Sequence, residues 1–276
     1  MVDGDLGLFG PGSVTWRVHQ EPILFLAGLR ALYLQALHPR AIAGVVQNSD
    51  YKTDPWGRFQ RTVKYVATVV YGTTEQARAA GRRVRAVHST LAAADPQTGE
   101  RFRIDAPELL LWVHISEVES FVDTAKRAGA PLSPEDVDGY YLEQRRAAEL
   151  VGLDPQQVPG SAAEVAEYYR SIRPKLRMTR DSAETLAFLT VPPLPWKLGF
   201  TPVRLAYGGL AATAFGLLPQ WARRLYGLPG LPTTDVSATV SAKTLRLALK
   251  ALPSSVFEGP IYKAAMRRAD LAGHGR

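Results

Sequence analysis

The 276-residue chain is 46% hydrophobic with a formal net charge of +7, enough apolar content to bury a sizeable core in one large domain or two small ones, which argues against disorder. It has no cysteine, which excludes disulfides, thiolate haem ligation, iron-sulfur clusters and a cysteine nucleophile; His, carboxylate, Tyr or Met must hold any metal. The charge admits an anionic membrane surface, an acidic cofactor or nucleic acid, against the plainer reading of a solvated basic surface, and nucleic acid is set aside because no binding module or aromatic platform accompanies it.

Gly4 to Ser13 is a glycine-rich loop, and the first helix is expected near Trp16. No signal peptide is visible in the first 20 residues, so a cytoplasmic location is expected. From Glu21 to about Val46 the chain is apolar nearly all round, the pattern of a central or membrane-facing helix. Arg30 and the His38-Pro39 break interrupt it short of the roughly 20 uncharged residues of a membrane span. Asp54 as N-cap and Pro55 at the first helical position predict a helix through Val70, stopped by Tyr71-Gly72. Arg58, Arg61, Thr62 and Tyr65 share one half of its surface. A second helix is expected over residues 76–91, with Ala80, Val84, Val87, His88 and Leu91 on one face. That spacing puts the His88 imidazole inside, where it must be hydrogen-bonded or bound to a metal.

Residues 94–100 form a turn, and Asp105 to Glu108 opens a helix whose core positions are Leu110, Trp112, Val113, Ile115, Val118 and Phe121, with His114 among them. Glu119 and Asp123 on this helix read as a solvated face or as a carboxylate pair for a non-haem metal. Ser133 and Pro134 start another helix that runs to Leu150, and residues 161–173 make a short amphipathic one. Thr190 to Pro195 is read as an extended proline-rich linker. Residues 198–218 are apolar but broken by Pro202, Arg204 and glycines, which suits a buried helical arm or a monotopic membrane-contacting segment. A basic amphipathic helix at Trp221-Ala-Arg-Arg and one or two basic-faced helices over 241–268 complete the chain. With no period-2 run long enough for a sheet and no internal repeat, the fold class is all-α, a single multi-helix globular domain. Its parts are a core over 14–190 and a C-terminal helical extension over 191–276 packed on that core.

Short pieces in a fixed order over roughly residues 14–230 carry a family likeness: Glu21, Gly28 to Gln35 with His38-Pro39, Asn48-Ser49, Asp54-Pro55 with Arg58, Arg61-Thr62, Tyr71-Gly72, Val84 to His88, Trp112 to His114, Pro131 to Ser133 with Tyr140-Tyr141 and Glu143, and Leu218-Pro219 with Gly227 to Pro229. Together they resemble the family that groups the fungal MpaB oxygenases with the bacterial latex-clearing proteins, or rubber oxygenases. The resemblance implies a b-type haem in a pocket between central helices and dioxygen chemistry on unsaturated apolar chains. Under it His88 corresponds to the proximal iron ligand, Arg58 to a distal arginine and Thr62 to a distal threonine. The lysine that caps the iron in rubber oxygenases is Arg61 here, which stays protonated and does not ligate. The sixth position should therefore be open or water-filled, with a hydrogen-bond donor beside bound oxygen.

The glutamate proposed as a base in rubber oxygenases has no counterpart before Arg58. The activity implied is thus that of a haem b oxygenase on a small or medium apolar substrate, rather than rubber cleavage in particular. Arg85 is placed to reach a haem propionate, His114 is the competing ligand or packs beside the cofactor, and His38 reads as structural. A reading from another class is a non-catalytic helical protein that binds an apolar ligand or an anionic membrane through residues 198–218 and the Trp221 helix. A third keeps the iron for peroxidase-like or gas-binding chemistry.

Overall fold

The computed structural model describes residues 4–191 and 202–273. Local capping chemistry sets most element boundaries. Helix α1 (Val14–His19) starts where the Ser13 side chain accepts from the Trp16 N–H. The long apolar stretch divides into α2 (Leu24–Gln35) and α3 (Pro39–Asn48), because Pro39 lacks the N–H a continuous helix needs and the His38 side chain caps the new start. Helix α4 (Pro55–Tyr71) has the expected Asp54 cap, and α5 (Thr74–His88) starts a little earlier than expected, on a Thr73/Gln76 capping box.

Strands β1 (Ala92–Ala94) and β2 (Arg101–Arg103) pair antiparallel around the expected turn, with Ala93 opposite Phe102. Three residues are too few to show an alternating pattern. Helices α6 (Pro107–Arg127), α7 (Pro134–Leu150) and α8 (Ala162–Ile172) match expectation. Helix α9 (Arg180–Thr190) does not; it grows from a Thr179/Ser182 capping box, so Thr190 ends a helix, and residues 192–195 of the expected linker lie outside the described residues. Helices α10 (Pro202–Gly216), α11 (Gln220–Leu225), α12 (Pro232–Lys250) and α13 (Pro260–Leu271) complete an all-α fold.

The centre is α2 packed along α6, with α7, α10 and α12 around them. Leu26, Leu34, Trp112, Ile115, Tyr140, Leu217 and Ala242 belong to one buried cluster, so the C-terminal helices share the core of the N-terminal ones. Each large apolar side chain in it contributes about 1.5–3 kcal/mol.

The interior is also threaded by arginine. Arg30 on α2 is buried and donates to Glu119 at 2.6 and 2.9 Å, to Ser120 Oγ at 2.7 Å and to the Leu217 carbonyl at 3.0 Å, and it lies 3.2 Å from Asp123. Glu119 and Asp123 are therefore neither a solvated face nor a metal pair; they neutralise a buried cation. Among the described residues no group of three or more metal-ligating side chains converges. Arg223 of α11 is likewise interior, donating to the Gly216 and Leu218 carbonyls and to Asp235 at 2.9 Å, which corrects the exposed basic face expected there. Glu21 pairs with Arg246 at 2.7 Å, whereas Glu143 accepts from the Val14 and Thr15 N–H groups and so caps α1. No helix among the described residues is long and apolar enough to cross a membrane.

Candidate functional site

The hairpin of α4 and α5 closes on Val69, Ala77 and Leu150. There α5 presses on the end of α7, where a Cβ added at Gly81 would lie 2.7 Å from the Leu150 carbonyl oxygen. One turn further along α5, Arg85 donates to that same carbonyl at 2.6 Å. Beyond this closed end the walls are bare. Phe59 and Val63 on α4, Val87 on α5 and Val113 on α6 are 51%, 49%, 51% and 37% exposed.

Three helices converge at one level. Tyr65 of α4 feels both Glu117 of α6 and Arg85 of α5, and burial pushes its phenol up to about 12, with Glu117 adding to the rise. At the other end His88, the last residue of α5, lies near Asp105, which precedes α6. The N-terminal half of α4, the C-terminal half of α5 and the N-terminal half of α6 thus line a groove that opens from the Tyr65, Arg85 and Glu117 level toward His88. Arg58 stands two turns of α4 above Tyr65, about 10 Å along the axis.

The sequence-selected residues fall on this groove unevenly. Ala77 and Gly81 are the buried face of α5, and that face continues at helical spacing through Val84 to His88, while Val87 is exposed. The buried stripe is rotated from the expected one because Gly81, having no side chain, allows the closest approach. His88 is half-buried, and burial lowers its pKa despite Asp105, so the imidazole is neutral at pH 7. Arg58 donates to Ser49 Oγ, which ties α4 to the end of α3, and burial lowers its pKa. Arg61 is exposed and turned to Asp54 at 3.1 Å and Asp50 at 3.4 Å. Thr62 is exposed and donates to the Arg58 carbonyl at 3.1 Å. His38 caps α3 and is buried beside Trp112.

His114 is more informative. Its Nε2 is buried without a hydrogen-bond partner, and burial lowers its pKa to about 4. A neutral imidazole nitrogen left unsatisfied in an interior carries a cost of about 1–3 kcal/mol that a ligand or bound group would relieve. One turn along lies Glu117, which the sequence reading did not select and which burial raises to about 7. The signal available for it was its spacing of three from His114.

A b-type haem asks for a neutral axial imidazole, apolar walls for a flat macrocycle and cations near its propionates. His88 and His114 answer the first, Phe59, Val63, Val87 and Val113 the second, and Arg58, Arg61 and Arg85 the third. The orphaned His114 nitrogen is the observation that fits a group missing from the groove.

A family model described as "ER-bound oxygenase mpaB/B'/Rubber oxygenase, catalytic domain" matches residues 16–251. No curated protein and no solved structure matches the chain.

Proposed function

The chain belongs to the family of mpaB-type and rubber oxygenase catalytic domains, and from that premise we propose a haem b-dependent oxygenase that acts with dioxygen on a small or medium, apolar and unsaturated substrate. The observation that carries the cofactor reading is the pair of neutral imidazoles, one orphaned, on a groove with exposed apolar walls. When bound, the haem would supply dioxygen activation and the electron transfer.

The chain's own residues supply the setting. His88 offers a deprotonated ring nitrogen at neutral pH, which axial ligation requires. Arg85, fixed by the Leu150 carbonyl, holds the closed end of the groove and places its charge for a propionate. Arg58 is held by Ser49, and Thr62 presents a hydroxyl one turn along the same face. Arg61 contributes a permanent donor that does not compete for iron; its pairs with Asp50 and Asp54 are exposed and exchange readily with solvent or a bound group. Phe59, Val63, Val87 and Val113 exclude water from whatever lies between them.

The test is the visible spectrum of the purified protein, oxidised, dithionite-reduced and with carbon monoxide. A Soret band that moves on reduction and again with carbon monoxide is expected, together with loss of haem from His88→Ala at unchanged helical circular dichroism. A colourless protein that refuses hemin sinks the cofactor reading. Full haem content in His88→Ala, with loss in His114→Ala, moves the axial ligand to α6.

A further inference from the structure

We propose that Glu117 couples occupation of the groove by a flat apolar group to the uptake of a proton at its own carboxyl. This rests on the haem reading above. Among the described residues Glu117 makes no hydrogen bond and no ion pair, and burial alone acts on its titration. A carboxylate in that position relies on groove water for its solvation. A group that covers the groove removes the water and provides no cation in exchange, so the neutral acid becomes the favoured form.

The groups around Glu117 do not compensate. Tyr65 of α4 and Tyr140 of α7 face it, and burial drives both phenols well above neutral pH, with Glu117 adding to the rise. His114 on its own helix is neutral, as is His19 of α1, which contacts the Tyr140 hydroxyl at 3.1 Å and is lowered by burial to about 3. Arg85 of α5 is spent on the Leu150 carbonyl. Toward α2 and α12, the charges on α6 belong to a separate network in which Arg30 binds Glu119 and Asp123, and Arg127 donates to Leu217 and Thr239. On the α3 side, Arg40 is held by Asp95 and Glu100.

The sign follows from linkage. Glu117 titrates near 7 in the empty groove and higher once covered, so the loaded protein holds more protons than the empty one. Affinity is greatest below pH 7 and falls as pH rises, by up to about tenfold per pH unit. Because His88 and His114 are already neutral, ligation displaces no proton from either imidazole.

The experiment is calorimetric titration of hemin into the full chain and into Glu117→Gln, in buffers of contrasting ionisation enthalpy. At pH 8 the native chain should take up close to one proton per hemin more than Glu117→Gln, and at pH 7 about half a proton more, the ionised fractions of an acid near 7. The affinity of Glu117→Gln should be the less dependent on pH. Equal proton uptake by the two proteins, with hemin bound to both, overturns this coupling and leaves the haem reading standing. Failure of both to bind hemin overturns the haem reading and the coupling with it.

Discussion

Two glycines inside helices give opposite expectations for one substitution. At Gly81 a new Cβ meets the Leu150 carbonyl oxygen at 2.7 Å and the Leu150 Cβ at 2.9 Å; at Gly28, within α2, it meets nothing within 4 Å. Alanine gains about 0.5–1 kcal/mol over glycine in a helix interior. Forcing a methyl into packed backbone costs about 1–3 kcal/mol. Gly28→Ala should therefore stabilise by about 0.5–1 kcal/mol, and Gly81→Ala should destabilise by about 1–2 kcal/mol, the clash outweighing the propensity. With a urea m-value of about 2–3 kcal/mol/M for a chain of this size, the midpoints should move by about 0.3 M upward and about 0.5 M downward. The same displacement pushes Arg85 off the Leu150 carbonyl and carries His88, two turns further along α5, out of register with α6. Gly81→Ala should therefore also weaken hemin binding, which Gly28→Ala leaves alone. If Gly81→Ala moved the midpoint upward as Gly28→Ala does, α5 would not be wedged on α7 and the placement of the groove wall would be wrong.

Replacing Arg30 by Met strands the Glu119 and Asp123 carboxylates in the interior and should cost about 3–5 kcal/mol; adding Glu119→Gln to that variant should restore part of the loss, read by thermal denaturation. Burial pushes the Glu21 carboxyl up, but hydrogen bonds from Arg246 and Lys250 outweigh it and hold the group below its ordinary value of 4.5. Its contribution is thus complete above pH 4.5 and is lost as pH falls through the folded value. Urea midpoints for Glu21→Gln should accordingly fall below the native chain's at pH 6 and converge with them near pH 3; a constant gap down to pH 3 would remove the ion pair from the account.

Helix boundaries were legible because they are written in adjacent residues. Asp54-Pro55 and Ser133-Pro134 start helices whatever the rest of the molecule does. Helix α9 escaped notice because its Thr179/Ser182 box sits in a stretch with a weak apolar stripe. Arg30 looked like an interruption in an apolar run; its partners on α6 lie 89 residues or more away, a separation no local pattern spans. The His88 stripe was misplaced by the same logic, since hydrophobic periodicity gives no weight to a glycine, and Gly81 is where the backbone comes closest. Glu117 was passed over because a lone glutamate on a helix ordinarily faces water. Only the arrival of Tyr65 from α4 and Tyr140 from α7 makes its position an interior one.

Helix α13 lies past residue 251, where the family match ends, yet it braces α4. Tyr262 packs edge-on against Tyr71 with ring centroids 5.2 Å apart, Arg268 donates to the Tyr71 carbonyl at 2.6 Å, and Ala265 joins Trp16, Val70 and Tyr71 in a small core. One wall of the groove is therefore hung from a part of the chain outside the shared domain. Changes in that tail can tilt α4 without altering a residue that faces the groove, so divergence in what the groove accepts has a handle remote from the groove itself.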